Sequence, residues 1–145
     1  MSTIVSLKLS SKVNIPYLWK VYTVSMKPHI EQIWGWDDKW QKSDFSKNLM
    51  KYDTLIIRIE ENPVGYVQYK SNNEGIYINM LILEADYQNK GIGPKLLSIL
   101  HSKYQQTIVL KCFKINHKAY QFYLNNGFRL FDEDENFYLL SQIPI

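Results

Sequence analysis

The sequence predicts an α/β (α+β) fold: a single mixed, mostly antiparallel sheet of six to seven strands with helices on both faces. Three observations predict it. Apolar segments and their breakers follow the order strand, two helices, three antiparallel-looking strands, helix, strand, helix, two strands. The stretch Leu81 to Leu97 passes from an apolar run through a polar glycine loop into a helix. Finally, 145 residues with no repeat, low-complexity tract or linker point to one domain spanning 1–145, large enough for a proper core.

In chain order, Ile4, Val5, Leu7 and Leu9 predict a first strand. Asn14 can cap a helix that begins near Ile15-Pro16 and carries Leu18, Val21, Tyr22 and Met26 at helical spacing. Pro28 is expected to interrupt or kink it, with His29 to Trp34 resuming the helix and Gly35 breaking it. Asp37-Asp38 begin another helix, through Trp40, Phe45 and Leu49 to about Lys51. Three strands follow: Thr54 to Glu60, Val64 to Tyr69 and Ile76 to Leu83, separated by turns at 61–63 and 71–75. Leu96, Leu97 and Leu100 define the next helix, which ends near Tyr104; Pro94 suits its first turn. Thr107 to Lys111 is a strand, and His117 to about Asn125 is a helix with Gly127 as its stop. Phe128 to Phe131 and Phe137 to Leu140 form a last strand pair around an acidic turn, Asp132 to Glu135.

Composition narrows the class. Hydrophobic residues make up 46% and charged residues 21%, as in ordinary soluble globular proteins. The net charge of +3 is spread along the chain with no Lys/Arg-dense tract, so no nucleic-acid partner is expected. One cysteine, Cys112, forms no internal disulfide, and no apolar run reaches membrane-spanning length, so a cytoplasmic protein without a membrane partner is expected.

The glycine loop is the chemical centre. A helix N-terminus leaves backbone N–H groups unpaired at the positive end of its dipole, an anion site. Gly91 and Gly93 carry no Cβ and admit a ligand close to the backbone. A dinucleotide fingerprint needs a third glycine where Leu96 stands, and a P-loop needs Gly-Lys-Ser/Thr after its first glycine; both are absent. What remains, Gln88-x-x-Gly91-x-Gly93, closely resembles the acyl-CoA pyrophosphate loop of the GNAT N-acetyltransferase superfamily. A second match lies near the C-terminus: Asn116-x-x-Ala119-x-x-Phe122-Tyr123-x-x-x-Gly127-Phe128 fills every fixed position of that family's segment. The element order is also GNAT-like, so the resemblance covers most of the chain. It is weakest between about Met26 and Lys51, where the acceptor side of such enzymes varies.

The resemblance implies acetyl-CoA as acyl donor. Backbone N–H groups of Gln88, Asn89, Lys90, Gly91, Ile92 and Gly93 then face its pyrophosphate; Pro94 withholds one donor. Lys90 and Lys95 add charge there or are solvated loop residues. The segment Leu81-Ile82-Leu83 splays from Thr107 to Lys111, and its backbone pairs with the pantetheine amides like an added strand. Asn116, Ala119 and Phe122 serve the cofactor arm. Tyr123 stands near the thioester sulfur as general acid; read without the resemblance, it is a helix tyrosine packed against the sheet.

Glu31, Trp34, Trp36 and Asp37 combine aromatic faces with carboxylates, a combination that holds a cationic amine; helix-packing tryptophans and an N-cap aspartate are the alternative. A free alkyl amine, of pKa roughly 10.4, must lose a proton before attack, and Glu84 and Glu31 are the candidate bases. Cys112 is expected to be structural, since no His/Asp partner for it is evident and the family transfers directly. His29, His101 and His117 lack metal-ligand spacing, and no metal is expected. The expected function is transfer of an acetyl group from acetyl-CoA to a primary amine of a small molecule or peptide, by a monomer or homodimer. The rivals are transfer of another acyl group, a protein N-terminal acetyltransferase, and a catalytically silent acyl-CoA-binding sensor.

Overall fold

The protein's computed structural model describes residues 4–144. Residues 1–3 and 145, the ends of the span expected to form one domain, lie outside the described residues. Strands β1 (Val5–Leu9), β2 (Asp53–Ile59), β3 (Asn62–Asn72), β4 (Gly75–Leu83), β5 (Ile108–Phe113), β6 (Arg129–Glu133) and β7 (Phe137–Gln142) form one sheet. Its order is β1-β2-β3-β4-β5-β7-β6. All neighbours pair antiparallel except β4 and β5, which run parallel. A parallel pair needs a crossover, and α3 (Ile92–Tyr104) supplies it. Helices α1 (Ile15–Ile33) and α2 (Asp38–Lys51) cover one face, and α3 with α4 (His117–Asn125) covers the other. The mixed, mostly antiparallel sheet with helices on both faces is thus the fold the sequence predicts, with seven strands.

Successive strand side chains face opposite ways, and this builds two cores. Ile56 packs with Leu18, Tyr22 and Phe45 on the α1/α2 face, while its neighbour Ile57 packs with Leu96 and Leu100 on the α3/α4 face. In β4 the alternation is broken once. Ile76 and Ile78 join the α3/α4 core, but Ile82 joins the α1/α2 core and Met80 packs against it. The cause is a β-bulge: Gln68 pairs with Met80 and Tyr69 with Ile78, so Asn79 is the extra residue. A bulge flips the faces beyond it and twists the strand. Asn79 Nδ2 donates to Gln68 Oε1 at 2.7 Å, and Gln68 Nε2 donates to Thr54 Oγ1 at 3.0 Å. This polar chain across three strands satisfies the buried Gln68 and Thr54 and fixes the bulge.

Three local expectations need correction. Pro28 does not end the first helix, which runs unbroken from Ile15 to Ile33. Buried anchors lie on both sides of it, at Leu18, Val21, Tyr22 and Ile30, and their packing outweighs the lost hydrogen bond. Asn14 stands at the helix start, but its side chain accepts from Ser11 N at 2.9 Å, not from the helix. The acidic turn begins later than expected, because Asp132 and Glu133 still pair with Leu139 and Tyr138 after a register shift at 130–132.

Candidate functional site

The bulge at Asn79 stands where the sheet forks. β4 and β5 pair only through Ile76↔Ile108, Tyr77↔Val109 and Ile78↔Leu110. Beyond that point β4 continues to Leu83 paired with β3 alone, and β5 continues to Phe113 paired with β7 alone. Alternate backbone groups of Leu81 to Leu83 therefore face the gap. Buried backbone groups need partners, so such a gap suits an extended ligand that supplies amides. A cleft of about 730 Å³ occupies it, lined from both strands by Leu81, Ile82, Lys111 and Cys112. The cleft opens on both faces: Asn116, Ala119 and Tyr123 line it from α4, while Tyr22, Ile30 and Trp40 line it from α1 and α2.

The glycine loop caps the open end of β4. Gln88 Nε2 donates to Leu83 O at 2.9 Å and ties the loop to the strand. Asn89 and Gly91 both take positive φ, +60° and +78°, and turn the chain into α3. Among the described residues the N–H groups of Asn89, Lys90, Gly91, Ile92 and Gly93 find no backbone acceptor, which leaves an array of donors at a helix N-terminus. The two glycines differ. A Cβ at Gly91 would meet nothing within 4 Å and would project into open space, whereas one at Gly93 would lie 2.6 Å from Cζ of Phe122. Gly93 thus lets α3 sit against α4, and Gly91 leaves room for a ligand. Ile92 is buried; Lys90 is exposed with Nζ 5.9 Å from the Tyr87 ring, and Lys95 is exposed in the first turn of α3. A pyrophosphate fits this donor array, and an extended arm with two amides fits the fork.

At α4, Asn116 is the N-cap and accepts from Ala119 N at 3.2 Å, which leaves its side-chain N–H groups for the cleft. The helix ends as a Schellman motif: Gly127 has φ +87°, Phe128 N donates to Tyr123 O at 3.0 Å, and Gly127 N to Leu124 O at 3.2 Å. The accompanying apolar contact is Phe128 on Tyr123, ring centroids 5.2 Å apart, with Phe122 at 5.2 Å on the other side. Tyr123 is thereby held rigidly, 8% exposed and facing the cleft. Burial, and secondarily the Cys112 thiol, raises its pKa far above the ordinary tyrosine value, so it is an acid and never a base near neutrality. Cys112 is also buried, and burial pushes its thiol up to about 11.

The acceptor candidates separate. Asp37 is the N-cap of α2, accepting from Trp40 N at 3.1 Å, and also lines the cleft. Trp34 is 58% exposed, lines the cleft, and has Phe113 and Phe137 beside it at 5.9 and 6.1 Å. Trp36 is half-buried in the packing of α1 on α2, 6.0 Å from Trp19 and 6.2 Å from Tyr22, and is not in the cleft wall. Glu31 is exposed on the last turn of α1, outside that wall. Glu84 follows β4 directly and accepts from the Tyr17 hydroxyl at 2.6 Å; burial, then this bond, raises the Tyr17 pKa. Sequence reasoning missed Tyr17, Asn79 and the cleft residues Tyr22, Gln41, Asp44 and Lys111. Asn79 left one signal, a polar, strand-averse residue inside an apolar run. A second cavity, of about 680 Å³ beside His101 and Gln142, contains none of the candidates. No helix among the described residues is long and apolar enough to cross a membrane, and none of their His, Cys, Asp and Glu side chains gather in threes to hold a metal.

Solved structures share this architecture. The PaiA N-acetyltransferase from Thermoplasma acidophilum, in complex with coenzyme A, is 19% identical over 99% of both chains, with a TM-score of 0.73. Naa50 from Arabidopsis thaliana, in complex with the bisubstrate analogue CoA-Ac-MVNAL, is 22% identical over 95% of this chain and 97% of that one, TM-score 0.66. A GNAT family acetyltransferase from Elizabethkingia anophelis with acetyl-CoA bound is 15% identical over 96% and 97%, TM-score 0.70. At these identities the likeness is one of fold. The sequence itself goes further: residues 17–128, most of the chain and all of the fork, loop and α4 described above, match the model of the acetyltransferase (GNAT) family, and the protein belongs to that family of acyltransferases.

Proposed function

We propose that this protein transfers an acetyl group from acetyl-CoA to a primary amine of a small molecule or peptide by direct attack. One observation carries the reading: the β4/β5 fork passes through the sheet, so that Asn116 and Tyr123 on one face and an aromatic, carboxylate-bearing wall on the other share a single cleft. The N–H groups from Asn89 to Gly93 hold the pyrophosphate, with charge from Lys90 and Lys95, and Ile92 anchors the loop in the core; the Gln88 N–H, expected among these donors, is spent on Ala85 O at 3.3 Å, and Gln88 serves by tying the loop to Leu83. Leu81, Ile82 and Leu83 pair with the arm, Asn116 donates to it and Ala119 shapes its wall, while Phe122, outside the cleft lining, packs against Gly93 and seats α3 on α4. Acetyl-CoA, when bound, supplies an activated acyl group on a thioester.

The acceptor amine must be neutral to attack, because an ammonium has no lone pair. Neither candidate base lines the cleft, and Glu84 is the better supported of the two, since it directly follows β4 with Tyr17 donating to its carboxylate, whereas Glu31 is exposed on α1. Backbone N–H near Leu83 holds the oxyanion, and Tyr123 gives a proton to the leaving sulfur. Trp34 and Asp37 contact the acceptor, and Trp36 supports that wall from behind. The test is a panel of amines with acetyl-CoA, following free thiol release. Amine-dependent thiol is the expected result. Tight acetyl-CoA binding with no thiol from any amine would instead favour a silent sensor.

A further inference from the structure

We propose that the outer edge of β6 is the interface of a two-fold homodimer, in which Arg129 of each copy lies across from the partner's Asp132. The inference does not depend on the acetyl-transfer reading. The sheet has two end strands, and they are finished differently. Residues 5–7 of β1 are half-buried, and α3 packs against that strand. In β6 every residue of Arg129–Glu133 is exposed, and among the described residues no strand pairs with its outer side. Leu130 is 40% exposed and its neighbour Phe131 54%; Leu124, on the last turn of α4, is exposed as well. Single exposed apolar residues are ordinary on a surface, but two adjacent ones on an open sheet edge invite association.

The bulge in β6 identifies the occupant. Arg129 pairs with Ser141, Leu130 with Leu140, Asp132 with Leu139 and Glu133 with Tyr138, so Phe131 is the extra residue. In a regular strand, residues three apart face opposite ways. The bulge cancels this: Ser141 and Leu139 are two apart on β7 and share a face, so Arg129 and Asp132 share it too. Neither has an oppositely charged partner among the described residues; Asp132 Oδ1 accepts only from Glu133 N, at 2.8 Å. Glu133, on the other face, is already paired with Lys114 at 3.0 Å. A two-fold axis perpendicular to the sheet lays two copies of β6 antiparallel and keeps each face on its own side. It sets Arg129 across from the partner's Asp132, and Asp132 across from the partner's Arg129. Leu130 and Phe131 of both copies fill the centre. An isologous contact needs a surface that complements itself, and opposite charges placed about an apolar centre are such a surface. Edge bulges discourage pairing with a foreign strand, whereas a second copy brings the same bulge to the same place. Exposed ion pairs contribute little each and are screened by salt, so the apolar centre supplies most of the attraction and the charges set the register.

The experiment is sedimentation velocity on the full chain over a range of about 1 to 200 μM, at low salt. A contact this small belongs to the weak class, so a rapid monomer–dimer equilibrium with a Kd of roughly 10 to 100 μM is expected. The mass should rise with concentration toward twice 17.2 kDa. Phe131→Lys should raise the Kd by roughly tenfold or more and leave the melting temperature unchanged, because the side chain it replaces is exposed. Arg129→Asp sets like charges across the axis and should raise the Kd by roughly fivefold. Arg129→Asp combined with Asp132→Arg should recover most of the wild-type Kd, and melting verifies that each variant is folded. A monomer at every concentration overturns the inference. So does a dimer that survives Phe131→Lys, which places the contact elsewhere. A combined exchange that recovers nothing also overturns it, because the two charges then do not meet.

Discussion

The two halves of the cleft are built on different principles. The donor half, from Leu81 to Gly93 and from Asn116 to Phe128, works through the main chain: a fork, a glycine turn, an N-cap and a Schellman end. The acceptor half works through side chains on α1, α2 and β7 that meet only in the folded protein. Backbone devices tolerate little change because each depends on a dihedral angle or a missing Cβ. Side chains on a helix face can be exchanged while the helix survives. The donor half should therefore fail abruptly under mutation and the acceptor half by degrees.

The sharpest test of that contrast is the pair of loop glycines. Gly91→Glu introduces a carboxylate into the donor array at a φ of +78°. Losing two charge-assisted bonds to a phosphate, at about 1.5–3 kcal/mol each, should weaken acetyl-CoA binding by roughly 10²- to 10⁴-fold. The positive φ should cost about 1–2 kcal/mol of stability besides. Gly93→Glu must also displace Phe122, so it should lose both binding and several degrees of thermal midpoint. Calorimetry and melting together check this. Wild-type affinity in both variants would remove the loop from donor binding.

The same division explains what could be read from the sequence. Gly91, Pro94, Gly127 and the cap Asp37 were legible because their roles are local: a turn, a helix start or a helix stop follows from a few neighbours. Gly93 differs, because its missing Cβ makes room for Phe122 of α4, a contact between two helices. Apolar runs likewise fixed every strand and the sheet class. The Asn79 bulge was not legible, because it depends on Gln68 and Thr54 from two other strands. Nor was the Tyr17–Glu84 bond, 67 residues apart in sequence, or the meeting of Tyr22, Gln41 and Asp44. Pro28 shows tertiary packing overriding a local breaker. Trp34 and Trp36 looked equivalent in sequence, and only the geometry of the α1–α2 connection separates them.

Tyr123→Phe is the next largest expected effect and probes a side chain on the donor half. It keeps the ring that packs on Phe122 and Phe128 and removes only the hydroxyl. The usual size of a general-acid contribution predicts a fall in kcat of roughly 10²-fold, with acetyl-CoA affinity and thermal midpoint nearly unchanged. Because its pKa is raised well above the ordinary tyrosine value, the proton stays on throughout neutral and mildly alkaline pH. Its titration should then add no falling limb to the kcat–pH profile below pH about 10, the unperturbed tyrosine value. Wild-type kcat in the variant, where chemistry limits the rate, would return Tyr123 to a packing role.

On the acceptor half the two tryptophans should part company. Trp34→Ala removes an exposed face of the cleft and should raise the acceptor KM by roughly tenfold, the scale of a partly desolvated cation–π contact, with little loss of stability. Trp36→Ala opens a gap against Trp19 and Tyr22. For a half-buried ring the cost should be about 2 kcal/mol of stability, below the range for full burial, with a smaller change in KM. Equal effects of the two substitutions on KM would show that both rings contact the acceptor.

Cys112→Ala should change catalysis least, and that small effect decides between direct transfer and an acyl-enzyme. The thiol lies in the cleft wall beside Tyr123, so its position alone would permit a nucleophilic role. Its chemistry argues otherwise. Burial raises its pKa from an ordinary 9.0 to about 11, whereas a reactive cysteine needs a depressed pKa and a basic partner. Its sulfur makes only long contacts to carbonyl oxygens, 3.6 Å to Phe113 and 4.0 Å to Asn116. At pH 8 the thiolate fraction is roughly a thousandth, against about a quarter for a free thiol of pKa about 8.5, so alkylation of the native protein should be slower by about two orders of magnitude. The linkage has a definite sign. A raised native pKa means that the folded state holds the proton more tightly, so this contribution to stability is complete below pH 9 and declines from there toward 11. Cys112→Ala should therefore keep kcat within about threefold, lose about 1 kcal/mol of stability at neutral pH through the small cavity, and melt with a shallower decline than the wild type between pH 9 and 11. A collapse of kcat with intact acetyl-CoA binding would make Cys112 the acyl carrier and overturn direct transfer.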